Sequence, residues 1–362
     1  MPRSNRASLK RPFGLSRKKP TVVGTGLIAL DVVLGEGKQR TTRAWAGGTC
    51  ANVLAILSYL GWHAYPVARL NGDSAARRVE RDLRRWGVRL EWAKLQPGGR
   101  TPIVVQRIMS DDSGNGLHRF SLHCPHCGGW LPTYQAVPAR VVRSLTLEVP
   151  DSSVVFLDRP SRGSIILAEH YKQKGALIFF EPSGKGDVGL FRRAYQLADI
   201  IKYSREQATG LALHRPRSLQ APVEVETLGS AGLRYRTALL GRTQRAWTEV
   251  PAYKVHQVSD PAGAGDWCSA GILHFLGRRG YAGLEKITSV GLLRAFRFGQ
   301  ALAAWNCGFE GARGGMYEVS LSQFRESVGH ILKGARPVAH TNDGKKEPRT
   351  RLSVTICLTC GT

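Results

Sequence analysis

Between residues 153 and 213 the chain alternates short, unbroken apolar runs with segments of helical period. Runs at 153–158, 176–181 and 199–204 are too short and too continuously apolar to leave one face in water. Helical segments at 163–174, 190–197 and 205–213 separate them. A strand buried on both faces needs a covering layer on each side, and parallel neighbours need helical crossovers. The pattern predicts an α/β fold, a three-layer α/β/α sandwich around a mostly parallel sheet.

The rest of the chain extends this frame. Residues 21–31 read as a buried strand followed by a tight turn, and 53–60 as a helix closed by Gly61. A basic helix is expected over 74–86 and a strand around 88–95. Runs at 101–109 and 117–123, separated by a polar stretch, fit a hairpin. Strands at 223–228 and 234–239 and helices at 266–276 and 291–305 complete the reading, while 133–148 shows no clean period. The expected organisation is a basic tail over 1–20, one catalytic domain over 21–332 with lid segments at about 36–46 and 100–123, and a basic tail over 333–362.

No apolar run approaches the roughly 18 residues needed to span a membrane, and the first twenty residues lack the apolar core of a secretory signal. A cytoplasmic location is expected, with an organelle transit peptide at 1–20 as the alternative. The net charge of +25 favours anionic ligands such as nucleotides. It leaves nucleic-acid contact open, but no aromatic-basic repeat supports it.

The chemistry concentrates at Asp260-Pro-Ala-Gly-Ala-Gly-Asp266, directly before an apolar helical segment. Backbone N–H groups at a helix N-terminus, uncovered by side chains, form an anion site. Asp266 at that junction is either a helix cap, stabilising by about 1 kcal/mol, or a base beside a bound phosphoryl group. The uncluttered Gly-Ala-Gly favours the second, since a cap needs no bare backbone. Gly24-Thr-Gly-Leu-Ile-Ala29 also fits a dinucleotide fingerprint. That reading wants an acid about 20 residues on, and 40–52 holds none.

Five segments in order resemble the ribokinase-like (PfkB) carbohydrate kinases. The signature at 260–266 is preceded by Gly24 to Asp31, by Gly47-Gly48-x-x-x-Asn52, by Phe180-Glu-Pro-Ser183 and by Thr227-Leu-Gly-Ser-Ala-Gly232. The resemblance spans about residues 20–330. It implies ATP-dependent phosphorylation of a hydroxyl on a sugar, sugar phosphate or nucleoside. Asp266 would be the base, and Gly263, Ala264 and Gly265 the anion hole. Asp31, Gly47, Gly48 and Asn52 would hold the acceptor. Thr227, Gly229, Gly232 and Ser204 would border the nucleotide, and Glu206 would organise Mg²⁺ through water. A monovalent cation and a homodimer formed through the lid are also within the implied pattern.

Three departures from that pattern stand out. Pro261 stands for the usual Thr, Ser183 for Asn, and Ser204 and Gln207 occupy the two key positions of the Asn-x-x-Glu region, with Glu206 shifted by one. These departures motivate a second reading, a catalytically weak binding or regulatory protein on the same fold.

Two cysteine pairs lie outside the resemblance. Cys124-Pro-His-Cys127-Gly and Cys357-Leu-Thr-Cys360-Gly each have the spacing of a zinc knuckle. Closing a loop costs only about 0.6 kcal/mol per doubling of its length, against about 10–16 kcal/mol for structural zinc. Distance in sequence therefore does not forbid one shared Zn²⁺. Separate redox-active or inert thiols, an intermolecular zinc, and His126 as a ligand remain open at this stage. Cys50, Cys268 and Cys307 sit in apolar helical surroundings and are expected in the core.

Overall fold

A computed structural model describes residues 19–34, 42–94, 99–110, 116–148, 150–183, 186–212, 221–239, 244–255, 258–334, 357, 360 and 361. The tail over 1–18, most of 333–362, part of the first lid segment and the turn between the two hairpin runs lie outside the described residues.

The strands are β1 (Thr21–Thr25), β2 (Ala29–Leu34), β3 (Thr42–Gly47), β4 (His63–Pro66), β5 (Ala68–Arg69), β6 (Ala93–Lys94), β7 (Ile103–Ser110), β8 (Gly116–Ser121), β9 (Val154–Leu157), β10 (Leu177–Phe180), β11 (Ile200–Ser204), β12 (Val223–Thr227), β13 (Leu233–Thr237) and β14 (Gln244–Val250). The helices are α1 (Thr49–Tyr59), α2 (Ser74–Arg85), α3 (Ala139–Leu145), α4 (Arg162–Gln173), α5 (Val188–Leu197), α6 (Arg205–Ala212), α7 (Ala264–Leu276), α8 (Gly280–Glu285), α9 (Ser289–Asn306), α10 (Gly314–Glu318) and α11 (Leu321–Leu332).

Eight strands form the central sheet in the order β14-β13-β12-β11-β10-β9-β1-β4. The six from β4 to β12 run parallel, and β13 and β14 close one edge antiparallel. Consecutive strand residues feed opposite cores. Val22, Val154, Phe156, Leu177, Phe179 and Ile200 join the core containing α1, α7, α9 and α11. Val23, Val155, Leu157, Ile178, Phe180 and Ile201 join the core containing α4 and α5. This is why the strands read as continuous apolar runs: both faces are covered, and side chains alternate between them.

A second sheet, in the order β3-β2-β7-β8, holds the segments expected as the lid. β2 pairs antiparallel with β3 and parallel with β7, and β7 and β8 form the expected hairpin. The stretch 21–31 is thus two strands rather than one. β1 belongs to the large sheet, and the chain turns at 26–28 to enter the lid as β2. The strand expected around 88–95 shrinks to β6, a two-residue partner of β5. Helix α3 lies within the aperiodic 133–148 stretch. No helix among the described residues is long and apolar enough to cross a membrane.

Candidate active site

The parallel strands end on one rim. Thr25, the end of β1, is followed by Gly26; Asp158 follows β9, Glu181 follows β10, and Ser204 and Thr227 end β11 and β12 as register partners. Strand order reverses between β1 and β9, with β4 on one side and β10 to β14 on the other. The crevice at such a reversal, outside the carboxyl ends of the strands, is where open α/β sheets bind ligands. Asp158 stands in it, its Oδ1 accepting from the Leu27 amide at 2.9 Å. Burial pushes Asp158 up to about 7, with Arg159 and the Leu27 amide opposing and the Glu181 charge adding to the rise.

Helix α7 brings the Gly-rich turn to this rim. Gly263 caps it in the left-handed region, at φ 74°. A Cβ there would lie 2.2 Å from the Ala312 carbonyl oxygen, so glycine is required both for φ and for space. Buried Asp260 fixes the approach: Oδ1 accepts from the Ala262 amide at 2.6 Å and Oδ2 from the Gly311 amide at 2.7 Å. Asn306 donates to the Ala262 and Ala312 carbonyls at 3.2 Å. Pro261 fits this turn, since its carbonyl accepts from Ala264 at 3.2 Å. The first-turn amides of α7 lack intrahelical carbonyl partners by helix geometry and point toward the N-terminal end, where Gly265 leaves the backbone exposed.

Asp266 sits in the first turn of α7 and is half-buried. Asn52, buried on α1, donates from Nδ2 to Asp266 Oδ2 at 2.7 Å. Burial and the neighbouring Glu181 charge push Asp266 up to about 8, while the Asn52 hydrogen bond and Lys202 pull the other way. A carboxyl so raised is a stronger base than a solvated aspartate and is closely matched to work near neutral pH.

Asp31 lies on β2, opposite Trp45 on β3. Gly47 must be glycine here, because a Cβ would fall 1.9 Å from the Asp31 carboxylate. The Gly48 amide donates to Asp31, and the Arg313 guanidinium acts on it through space. Burial nevertheless raises Asp31 to about 7. Arg313 itself is buried, donating to Asp82 Oδ2 at 2.8 Å and to the Ala46 carbonyl. Motifs at 24–31 and 47–52 therefore meet at Asp31, and motifs at 47–52 and 260–266 meet in the Asn52–Asp266 hydrogen bond.

Beneath Gly265 lies a buried ion pair between Glu181, within the 180–183 motif, and Lys202, which no motif singled out. Glu181 accepts from Lys202 Nζ and from Ser269 Oγ. Burial disfavours the Lys202 charge, but Glu181 and other nearby negative groups outweigh it and raise its pKa. The signal was present in Lys202, a lone cation within the apolar run of β11.

The residues expected to border a nucleotide lie at the ends of β11 and β12 and in the turn that follows β12. Gly229 opens a single helical turn and Gly232 closes it, with Leu228 donating to the Gly232 carbonyl at 2.8 Å. Ser204 and Gln207 satisfy each other: Ser204 N donates to Gln207 Oε1 at 3.0 Å, and Gln207 N to Ser204 Oγ at 3.3 Å. This is the reciprocal cap that starts α6. Glu206 is exposed in the first turn of α6. Among the described residues it joins none of the hydrogen bonds around Asp266.

The four cysteines of the two pairs do come together, with all four sulfurs within 4.8 Å of one another. Cys50 and Cys268 are buried, as expected, and Cys307 is partly so.

No family model matches the chain. The chain is 27% identical over 278 residues to a fructokinase from Klebsiella pneumoniae, covering 72% of this chain and 84% of that protein. It is 24% identical over 305 residues to an ATP-dependent ribose-1-phosphate kinase from Halopiger xanaduensis, covering 81% and 93%. Its fold matches the nucleoside kinase of Burkholderia thailandensis, solved in complex with inosine, at a TM-score of 0.63 and 19% identity, over 87% of this chain and 99% of that one.

Proposed function

We propose that this chain, which belongs to the ribokinase-like carbohydrate kinases, transfers the γ-phosphoryl group of ATP to a hydroxyl of a sugar, sugar phosphate or nucleoside. The observation that supports it most is the placement of Asp266. Its carboxyl has a raised pKa, is held by Asn52, and stands in the first turn of a helix whose Gly-Ala-Gly entry leaves the backbone uncovered.

Asp31 and the Gly47–Gly48 backbone hold the acceptor at the lid, where a carboxylate accepts hydrogen bonds from hydroxyls. Asn52 keeps one donor on Asp266, and its Oδ1 is buried without a protein partner. That free acceptor suits a substrate hydroxyl. Asp266 takes the proton from the reacting hydroxyl as it attacks, a contribution of about 10²–10⁴ in rate. The amides of Gly263, Ala264 and Gly265 stabilise charge on the transferring group because they are already oriented before it arrives. Thr227, Gly229, Gly232 and Ser204 line the nucleotide side of the rim.

The reading takes Mg²⁺ as the accompanying metal. Mg²⁺ keeps several waters and needs only one or two carboxylates besides phosphate oxygens, so exposed Glu206 suits an indirect role. When bound, it would neutralise phosphate charge.

The acceptor range follows the relatives, a fructokinase, a ribose-1-phosphate kinase and a nucleoside kinase. A coupled ADP-release assay over pentoses, hexoses, their phosphates and nucleosides tests the reading. Turnover with one acceptor class is expected, falling about 10²–10⁴-fold in Asp266→Asn. Retention of activity within tenfold would remove Asp266 as the base. No turnover across the panel, with salt-dependent nucleic-acid binding instead, would favour the binding-protein reading.

A further inference from the structure

The four-cysteine cluster takes no part in phosphoryl transfer, yet its geometry is regular. Cys124 Sγ lies 3.7 Å from Cys360 Sγ, and Cys127 Sγ lies 3.6 Å from Cys357 Sγ. Both of these contacts join one pair to the other, across 236 and 230 positions of sequence. These separations exceed a disulfide bond of about 2.05 Å. They match the edge of a ZnS₄ tetrahedron, about 3.8 Å for Zn–S bonds of about 2.3 Å.

Both pairs are built as the same turn. Gly128 N donates to the Cys124 carbonyl and Gly361 N to the Cys357 carbonyl, each at 3.0 Å. Gly128 and Gly361 take φ of 73° and 72°. The His126 amide also points at Cys124 Sγ, at 3.4 Å. Such N–H···S contacts orient a ligating thiolate. One cysteine of each pair, Cys124 and Cys357, is 2% exposed and belongs to the main core. Among the described residues the set is closed, four sulfurs with no fifth His, Asp, Glu or Cys donor, which is the pattern of a structural rather than a catalytic site.

The position of the cluster gives it a mechanical role. The turn carrying Cys124 and Cys127 continues directly from β8. Its two sides are joined by Cys124 N to the Gly129 carbonyl at 2.7 Å and Leu131 N to the Leu122 carbonyl at 2.8 Å. The returning side then bonds to the start of β7, with Ile103 N donating to the Pro132 carbonyl at 3.0 Å. Ile103 pairs in register with Leu30, next to Asp31 on β2. A short run of main-chain hydrogen bonds thus links the cluster to the strand carrying Asp31, at the root of the lid.

We propose that Cys124, Cys127, Cys357 and Cys360 of one chain hold a single structural Zn²⁺, and that this ion fastens the C-terminal segment to the root of the lid sheet. The soft tetrathiolate set selects zinc over the hard cation that phosphoryl transfer uses. Fixing the root limits how far the lid strands, and with them Asp31, can move.

The full-length protein, purified under reducing conditions, is assayed for metal and for amide hydrogen exchange. One zinc per chain is expected, lost in the Cys357→Ser/Cys360→Ser variant. Exchange at 103–110 and 116–131 should then quicken about tenfold or more, while the central sheet stays protected. With the kinase reading as premise, KM for the acceptor should also rise about tenfold with kcat within about twofold. The exchange result does not depend on that premise, so failure of the two readings can be told apart. If the double variant does not fold, Co²⁺ replacement in the wild-type chain should give the thiolate-to-cobalt charge-transfer bands of a tetrahedral sulfur site. Absence of zinc together with absence of those bands, iron in its place, or one zinc per two chains with dissociation on chelation would each overturn the proposal. Bound zinc whose removal leaves lid exchange unchanged would overturn the mechanical role.

Discussion

Asn52 and Asp266 lie 214 positions apart, and Asn52 Nδ2 donates to Asp266 Oδ2 at 2.7 Å. The contact joins the first turn of α1 to the first turn of α7 and so sets the proposed acceptor side of the site against the proposed phosphoryl side. It also tunes the proposed base. A donor aimed at a carboxylate favours the ionised form, and Asn52 opposes the burial that raises Asp266 to about 8.

Removing that donor should move the pH dependence of activity in one direction. In Asn52→Ala the Asp266 carboxyl loses a hydrogen bond to its charged form, so a higher pH is needed to ionise it. The acidic limb of kcat/KM for the acceptor should shift upward relative to wild type. A loss of about tenfold to a hundredfold at pH 6 is expected, narrowing toward alkaline pH. A limb that stays in place would mean that Asp266 is not the group being titrated.

The same raised pKa makes a claim about stability. The folded protein keeps a proton on Asp266 to about pH 8, whereas the unfolded chain releases it near 3.8. Stability therefore falls as pH rises between these values, and the penalty is complete above the folded pKa. Asparagine carries no such charge. Asp266→Asn should match wild type in Tm near pH 3 and exceed it at pH 9, by about 2–4 °C for each kcal/mol of relieved burial. Calorimetry at the two pH values decides this. Equal Tm at pH 9 would show that the carboxylate is solvated in the folded state.

The central sheet was legible because Val22 and Val23, or Phe156 and Leu157, are apolar on both faces, and only a doubly covered strand tolerates that. The passage of the chain from β1 into the lid was not, since nothing in the apolar run 27–34 marks a change of sheet. The β14 strand was missed because its residues are mostly polar and it is an edge. Helix α11 did carry a signal, the reciprocal cap of Ser320 and Gln323. In the site, the glycines and aspartates were legible as motifs, but their distances were not. Gln207 was read only as a departure, and Ser204 as a departure and a nucleotide-side residue, although Ser-x-x-Gln is itself a helix-start pattern. Glu181 was read only as part of the 180–183 motif, and its pairing with Lys202 stayed hidden because charged residues are ordinarily exposed; only the fold shows that they bury each other.

Gly263 provides a test of the turn. Its φ is 74°, and the Ala312 oxygen lies 2.2 Å from where a Cβ would stand, so there is no room for a side chain. Gly263→Ala should cost about 1–3 kcal/mol from backbone strain alone, with an added loss of kcat as the amides of 263–265 move. Gly329, on α11, has open space around its Cβ position, so Gly329→Ala serves as the control and should not lower stability. Denaturant melts and kcat on both variants separate the two cases. Equal behaviour would mean that the turn is not held as described.

The Glu181–Lys202 pair allows the support beneath the turn to be separated from the chemistry above it. Lys202 is buried in the middle of β11, and its partner carboxylate also accepts from Ser269 on α7. A Cβ on Gly265 would lie 3.8 Å from Lys202 Nζ and 3.9 Å from Glu181 Oε1, so the pair sits directly under the Gly265 backbone of the proposed anion hole. Removing one partner leaves the other as an uncompensated buried charge, at a cost of about 3–5 kcal/mol. Lys202→Met should therefore lose most of that amount in a urea melt. It should also raise Asp266 further, because Lys202 is one of the groups holding it down. Lys202→Met combined with Glu181→Gln removes both charges, and with them the Glu181 repulsion that raises Asp266. The double variant should recover stability relative to the single one and move the acidic limb of kcat/KM back to lower pH. If the two substitutions simply add in both measurements, the pair is not coupled and Lys202 stabilises the strand end by some other contact.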